Sequence, residues 1–191
     1  MMVDAIVSGM RPQPASALLD IGCGNGALTS RLFPYCSSCL GVDFSEYLIT
    51  VAVARFGSKD HAFICRDLLD YVEQEPHPLR FDKVLCFAVV SYLSNASASR
   101  LLASLSHRFL NVDTVFIGNC PDRDCAAGFF ENSDPATVEL DNPESQIGVW
   151  RAKGEMAAMA ERAGWLIRFQ QMRPDFYQAH YRYNAILERP A

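Results

Sequence analysis

The sequence predicts an α/β fold in which a mostly parallel sheet carries helices on both of its faces. Strand-like apolar runs alternate with helix-like segments along the chain, which is the pattern of such a sheet. The first of these runs, at residues 18–21, leads directly into a glycine-rich turn. The chain has 191 residues and 50% apolar content, which is ample for one core, so we expect a single domain over residues 1–191.

The turn after the first strand has the composition of a ligand cradle. The strand carries one carboxylate, Asp20, near its end. Three glycines then remove side chains where the backbone must approach a ligand, namely Gly22, Gly24 and Gly26. Apolar residues at helical spacing follow before Pro34, and they predict a helix over about 27–33. The N-terminal N–H groups of that helix would point at the ligand.

The remaining elements follow in a regular order. Ser45 is a reasonable N-cap for a helix that ends at Phe56, and Gly57 closes it. Further strands are predicted at 39–42, 61–66, 81–87, 114–118, 165–172 and 180–187. Further helices are predicted at 1–10, from 68 onward, at 94–110 and at 153–163.

Two cofactor classes fit the turn. Gly22, Gly24 and Ala27 satisfy the dinucleotide fingerprint, which would make the protein a nicotinamide or flavin enzyme. Asp43, at the end of the second strand, suits the ribose hydroxyls of either class. Asp20 distinguishes the two cofactor classes. Its carboxylate would repel the pyrophosphate of a dinucleotide and would attract a cofactor with an ammonium and a sulfonium.

The segments Leu-Asp-Ile-Gly-Cys-Gly-Asn-Gly at 19–26 and Gly-Val-Asp-Phe-Ser at 41–45 resemble the class I S-adenosylmethionine-dependent methyltransferases. The resemblance implies a three-layer sandwich around a seven-stranded, mostly parallel sheet with an antiparallel hairpin at its C-terminal edge. It also implies S-adenosylmethionine as the cofactor and methyl transfer to an oxygen or nitrogen of a small-molecule acceptor. A non-catalytic scaffold or regulatory subunit with the same fold is the alternative.

The same resemblance implies positions for the cofactor-binding residues. The methionine moiety would be surrounded by Asp20, Gly22, Cys23 and Gly24. The ribose would be bound by Asp43, and the adenine would lie against Phe44, Leu48, Asp67 and Leu68. Beside the transferable methyl would lie Phe87 and Tyr92.

Each carboxylate also has a structural alternative. The turn's own N–H groups can satisfy Asp20 and Asp43, and Asp67 can cap the helix that starts at Leu68.

Other features narrow the class of protein. The formal net charge of −5 makes nucleic acid an unlikely partner. The segment after the fourth strand, Phe87-Ala88-Val89-Val90, lacks the motifs of DNA methyltransferases and an acidic metal ligand, so no metal is expected. The sequence has no membrane-spanning stretch or signal pattern, and its seven cysteines resemble reduced core thiols, so we expect a cytoplasmic protein.

The catalytic residues stay unknown at this point, with His180, Asp122 and Arg123 as weak candidates for a general base. From 119 to 152 the periodicity gives way to an insertion rich in Asp, Pro, Asn and Gly with scattered aromatics, which we expect to form a lid or substrate wall. Only a short helix precedes Pro12 and Pro14, so little of the chain is left at that end to cover a cofactor.

Overall fold

The computed structural model describes residues 2–130, 138–172 and 174–190, and within them it contains one seven-stranded sheet. The strand order is β3-β2-β1-β4-β5-β7-β6, and β7 runs antiparallel to both of its neighbours. The strands are β1 Ala17–Ile21, β2 Ser38–Asp43, β3 His61–Cys65, β4 Lys83–Phe87, β5 Thr114–Pro121, β6 Leu166–Gln171 and β7 Arg182–Glu188. The predicted parallel sheet with an antiparallel edge hairpin is confirmed.

One helix precedes the first strand, and the others lie between strands in the chain, as the alternating pattern predicts. They are α1 Met2–Met10, α2 Glu46–Phe56, α3 Leu68–Gln74, α4 Asn95–Arg108, α5 Ala126–Phe129 and α6 Lys153–Arg162. Ser45 caps α2 as predicted, because its side chain accepts a hydrogen bond from the Leu48 N–H.

The core confirms three layers. Side chains alternate between the two faces along each strand, so that Leu18 and Leu19 enter different apolar clusters. On one face the sheet packs against α1 through Ile6 and Met10. On the other face it packs against α3, α4 and α6, in a cluster that contains the buried Trp165.

Two predicted boundaries are wrong. The segment after the glycine turn is a 3-10 helix at Thr29–Tyr35 rather than an α-helix from residue 27. Gly22, Gly24 and Gly26 all have positive φ, so the chain is still turning at the point where the α-helix would have to begin. Pro34 then has no N–H to continue a helical ladder.

The second difference concerns the fifth strand. It continues to Pro121, three residues beyond the predicted end, because β7 keeps pairing with it after a register shift between Ile117 and Cys120. Residues 119–121, predicted to open the insertion, are therefore part of the sheet. Of the insertion predicted at 119–152, residues 131–137 lie outside the described part of the chain.

All seven cysteines are free thiols. Among the described residues, no helix is both long enough and apolar enough to cross a bilayer.

Candidate active site

A cavity of about 530 Å³ opens at the carboxyl ends of β1, β2 and β4. We call it the turn cavity, because the glycine turn forms part of its wall. In the strand order, the direction of connection reverses between β1 and β4, and open α/β sheets bind ligands at that point. The cavity is lined by Gly22, Val42, Asp43, Phe44, Asp67, Leu68, Phe87, Ala88, Val89, Tyr92 and Leu93.

The turn is held against the end of β2 by backbone hydrogen bonds. The N–H groups of Gly22 and Cys23 both donate to the Val42 carbonyl, at 2.7 and 3.1 Å. Gly22 has a φ of 77°, and a Cβ atom on it would lie 2.2 Å from Cγ2 of Val89. Only glycine fits there, because any side chain would collide with the segment that follows β4.

Asp43 connects the turn to the start of α2. Its Oδ2 accepts from the Gly24 N–H and its Oδ1 from the Ser45 N–H, both at 2.9 Å. The carboxylate is thus bound by backbone N–H groups, as the structural alternative predicts, while Asp43 also lines the turn cavity. Its position is therefore fixed before any ligand enters.

Asp20 lies beneath the turn and not on the cavity wall. The residue is 2% exposed, and its carboxylate accepts a hydrogen bond from the Thr29 hydroxyl at 2.5 Å. Burial raises the pKa of Asp20 to about 7; the Thr29 hydrogen bond lowers it and the nearby charge of Asp43 raises it. Asp20 can therefore act on a cavity ligand through the turn and through its charge, and not by direct contact.

Seven of the residues predicted to bind a cofactor line the turn cavity: Gly22, Asp43, Phe44, Asp67, Leu68, Phe87 and Tyr92. Four do not: Asp20, Cys23, Gly24 and Leu48. Cys23 instead packs in an apolar cluster with Ile49, Ala52 and Phe63.

Asp67 has the capping role that its sequence position also allowed. Its Oδ1 accepts from the N–H groups of Leu69 and Asp70, at 2.8 and 3.0 Å. The residue is exposed at the cavity edge. Capping and ligand contact are compatible, because these bonds use only one of its two oxygens.

Sequence reasoning missed four wall residues, Val42, Ala88, Val89 and Leu93. Ala88 is the most unusual of them, because its φ of 60° lies in the left-handed region that disfavours a side chain. Its N–H donates to the Gly118 carbonyl at 2.9 Å, which holds the chain in this conformation as it leaves β4. Strained backbone of this kind is concentrated at functional sites.

A second cavity, of about 600 Å³, adjoins the first. We call it the insertion cavity, because residues of the insertion form much of its wall. It shares Ala88 and Tyr92 with the turn cavity. Its other wall residues are Ser91, Asn119, Phe129, Phe130, Glu139, Ser145, Gln146, Ile147, Trp150, Tyr177, Gln178, Tyr181 and Arg182.

One wall of the insertion cavity is aromatic. Trp150, fully buried, lies with its ring 5.6 Å from that of Tyr181 and nearly parallel to it. Phe129 contacts both, at 5.3 and 4.6 Å between ring centres, and Phe130 lies 5.4 Å from Trp150. Phe129 and Phe130 are the rings accessible to a ligand, and the buried Trp150 and Tyr181 support them from behind.

The described part of the insertion is attached firmly to the rest of the site. Arg151 is 2% exposed, and its guanidinium donates to Oδ1 of Asn95 and to the carbonyls of Val90 and Leu93, at 2.8, 2.9 and 2.6 Å. Burial lowers the pKa of this guanidinium. The segment that Arg151 holds, 90–93, contributes wall residues to both cavities.

None of the three weak candidates for a general base lines either cavity. Asp122 accepts from Lys153 Nζ at 2.6 Å, and Arg123 Nε donates to the Trp150 carbonyl at 3.1 Å. Both therefore have attachment roles in the insertion. His180 is exposed just before β7, with its ring against Tyr181. In the described residues, no three His, Cys, Asp or Glu side chains come together as a metal site would need.

Comparison with known proteins places this geometry in context. The model of the family described as "Methyltransferase domain" matches residues 19–116, just over half of the chain. The chain is also 34% identical over 77 residues to an uncharacterized methyltransferase of Schizosaccharomyces pombe. That alignment covers 37% of this chain and 27% of the other protein.

Two further similar proteins are matched over very different shares of the chain. The rRNA adenine N-6-methyltransferase of Streptomyces fradiae is 36% identical over 55 residues, which cover 29% of this chain and 17% of that protein. The crystal structure of magnesium protoporphyrin IX methyltransferase from Synechocystis PCC 6803 with bound SAH has the same fold, with a TM-score of 0.71 at 18% identity. That alignment covers 99% of this chain and 82% of the other. The two curated relatives are thus matched over about a quarter of their length or less.

Proposed function

This chain belongs to the methyltransferase domain family, whose members use S-adenosylmethionine, and we propose that it transfers the methyl group of this cofactor to an oxygen or nitrogen of a small-molecule acceptor. The observation that carries the proposal is the pair of adjoining cavities at the switch point of the sheet. One has the size and residues for the methyl donor, and the other opens beside it with room for an acceptor.

The residues of the turn cavity fit S-adenosylmethionine. The cavity volume lies within the range of small-molecule sites, and the absence of a side chain at Gly22 lets the donor approach the backbone. Asp43 and Asp67 line the cavity and Asp20 lies beneath it, so its surroundings are acidic. Carboxylates favour the ammonium and sulfonium of this donor by charge.

Within the cavity, we assign the ribose hydroxyls to Asp43 and the adenine to Phe44, Leu68 and Asp67. Phe44 is 79% exposed, so a ring laid against it would bury apolar surface now open to solvent. Ala88 and Tyr92 border the second cavity, so we assign the methyl group to their side of the turn cavity, where Phe87 also lines the wall.

When bound, the donor supplies an electrophilic methyl carbon, to which the acceptor's lone pair bonds as the carbon–sulfur electrons return to sulfur and the acceptor's proton leaves. The protein's part is positioning and the exclusion of water, which together contribute several kcal/mol. Ala88 and Tyr92, shared by both cavities, are placed to align the two reactants. Since the candidate bases lie outside both cavities, we propose that the acceptor's proton passes to solvent.

A small-molecule acceptor is favoured by the shape and charge of the second site. The insertion cavity has an aromatic wall and a volume of about 600 Å³, and the chain has a formal net charge of −5. A phosphate backbone needs a positively charged surface. RNA is the alternative acceptor, which the name of the Streptomyces fradiae relative suggests.

The test is calorimetric titration with S-adenosylmethionine and with NAD, followed by transfer of radiolabelled methyl groups to a small-metabolite extract and to total RNA. We expect binding of S-adenosylmethionine and labelling of the small-molecule fraction. Binding of NAD alone would make the protein a nicotinamide enzyme. Donor binding without labelling of either fraction would indicate a scaffold, and labelling of RNA alone would overturn the acceptor class.

A further inference from the structure

Arg182, in the wall of the insertion cavity, is a cation that has no counterion among the described residues. Its Nη1 donates to the Asn119 carbonyl at 2.7 Å, and its guanidinium lies over the Tyr181 ring, 5.1 Å from the ring centre. In the part of the chain that the structure describes, no carboxylate lies within 4.0 Å of its nitrogens, and its Nε is buried with no hydrogen-bond partner. Because Arg182 is half-buried and lines the cavity, its guanidinium remains accessible to a ligand there.

A second unsatisfied polar atom belongs to the residue that holds Arg182. Oδ1 of Asn119 is also buried with no partner among the described residues. Asn119 has a φ of 64° and lies at the register shift between β5 and β7, and its own N–H donates to Oδ1 of Asn184. Two buried polar atoms without partners among the described residues, on adjacent wall residues of one cavity, indicate a place where a ligand binds.

The other residues of the cavity wall indicate which chemical group the ligand carries besides the one that pairs with Arg182. Phe129 presents an accessible ring that packs on the buried rings of Trp150 and Tyr181, and Tyr181 directly precedes Arg182 in the chain. The one other charged residue among the described wall residues is Glu139, which is exposed and accepts from Asn142 Nδ2 at 2.6 Å. Of the two charged wall residues Arg182 is the less exposed, so the insertion cavity offers a positive charge to a ligand, in contrast to the acidic turn cavity.

We propose that the acceptor is an aromatic carboxylate, whose anionic group pairs with Arg182 while its ring packs on Phe129, which lies against the buried rings of Trp150 and Tyr181. The inference rests on the proposed function, since it names the acceptor of that reaction. A planar guanidinium binds a carboxylate through two parallel N–H donors, which fixes orientation as well as affinity. With the carboxylate anchored at Arg182, a hydroxyl or amine elsewhere on the ring is the group that receives the methyl.

The probes are 4-hydroxybenzoate, 4-hydroxycinnamate and 1-hydroxy-2-naphthoate, each paired with its neutral carboxamide. Binding is followed by fluorescence of Trp150, which contacts Phe129 at the cavity wall, while the other tryptophan, Trp165, belongs to a different apolar cluster and donates to the Leu102 carbonyl. We expect at least one carboxylate to bind about 10- to 100-fold more tightly than its amide. The signal should disappear in Trp150→Phe.

Two variants test the role of Arg182. Arg182→Gln should bring the carboxylate-to-amide ratio close to one, and Arg182→Lys should restore part of the preference because it keeps the charge. Asn119→Asp adds a carboxylate to the residue that already holds the guanidinium, tolerates the positive φ, and should also reduce the ratio. Arg55→Gln, an exposed position in α2, is the matched control and should leave the ratio unchanged.

The outcomes separate this proposal from the proposed function. If no carboxylate binds more tightly than its amide, or if Arg182→Gln and Asn119→Asp keep the preference, the aromatic carboxylate is wrong. Calorimetry with S-adenosylmethionine tests the donor independently, because Arg182 does not line the turn cavity. Carboxylate binding without donor binding would leave the anion site standing and overturn the methyl transfer.

Discussion

At the scale of single residues, the turn cavity depends on the missing side chain of Gly22. A Cβ there would meet Cγ2 of Val89 at 2.2 Å, and the φ of 77° would itself be strained for any other residue. Valine has little rotameric freedom to move aside, so the collision must displace backbone at the cavity wall.

We therefore predict that Gly22→Ala weakens S-adenosylmethionine binding by about tenfold or more, or about 1.4 kcal/mol, measured by calorimetry. Gly24→Ala is the matched control: its φ is also positive, at 56°, but a Cβ there has no atom within 4 Å. The double variant Gly22→Ala, Val89→Ala should recover part of the affinity. Equal losses in the two single variants would show that strain, and not the contact with Val89, is the cause.

Asp20 gives a prediction in pH. Its pKa is about 7 in the folded protein against 3.8 in the unfolded chain, so the folded state holds the extra proton between these values. Stability from this group is therefore present in full below about pH 4 and is lost as the pH rises through 7. Asp20→Asn, which can still accept from Thr29, should remove that loss, worth on the order of 4 kcal/mol at pH 8. Urea unfolding of both proteins at pH 5 to 8 measures it, and parallel pH profiles would contradict it.

At the scale of elements, the structure separates the predictions that depend on neighbouring residues in the sequence from those that do not. Strand periodicity, the Ser45 cap and the glycine turn each depend on neighbouring residues, and the structure confirms the elements they predict. The predicted helix after the turn fails because its apolar spacing also fits the 3-10 segment that Pro34 and the buried Asp20–Thr29 bond favour. The spacing of apolar residues alone does not distinguish an α-helix from a 3-10 helix.

The attachment of the insertion to residues 90–95 also involves whole elements, and it depends on Arg151. We predict that Arg151→Lys lowers the free energy of unfolding by about 2 to 4 kcal/mol, because an ammonium cannot satisfy the three oxygens in the geometry of a guanidinium. The adjacent Trp150 should become more exposed and its emission should shift to longer wavelength. Urea unfolding followed by fluorescence measures both effects.

The control for Arg151→Lys is Arg100→Lys in α4, whose ion pair with Glu73 is on the surface. Surface pairs of this kind are worth between about 0 and 1 kcal/mol. An Arg151→Lys protein as stable as this control would show that the three hydrogen bonds contribute little.

At the scale of the whole molecule, the two cavities share one edge of the sheet but differ in charge. The turn cavity is surrounded by carboxylates, while the insertion cavity holds Arg182. The first could be predicted from sequence, because motifs near Gly22 and Asp43 mark it. For the second, the sequence predicted only a lid or substrate wall over 119–152; that Arg182 joins this wall could not be predicted, because it lies far from the insertion in the chain and belongs to no motif.

Because S-adenosylmethionine would bind the folded state and not the unfolded chain, donor binding should stabilise the whole fold. A ligand at 100 times its Kd adds about 2.7 kcal/mol to the free energy of unfolding, and in a domain of this size that raises Tm by roughly 5–10 °C. We predict this shift with S-adenosylmethionine in a thermal melt, and none with NAD at the same concentration. The Gly22→Ala protein should need correspondingly more donor, and a saturated protein with an unchanged Tm would contradict the assignment of the turn cavity.

The family match at residues 19–116 contains every wall residue of the turn cavity, whereas most of the insertion cavity is formed after it ends. The boundary between the two falls within β5, in the middle of the sheet. Under the proposed assignment, replacing the chain after β5 would change the acceptor site and leave the donor site in place. A chimera joined within β5 would make that replacement in the laboratory.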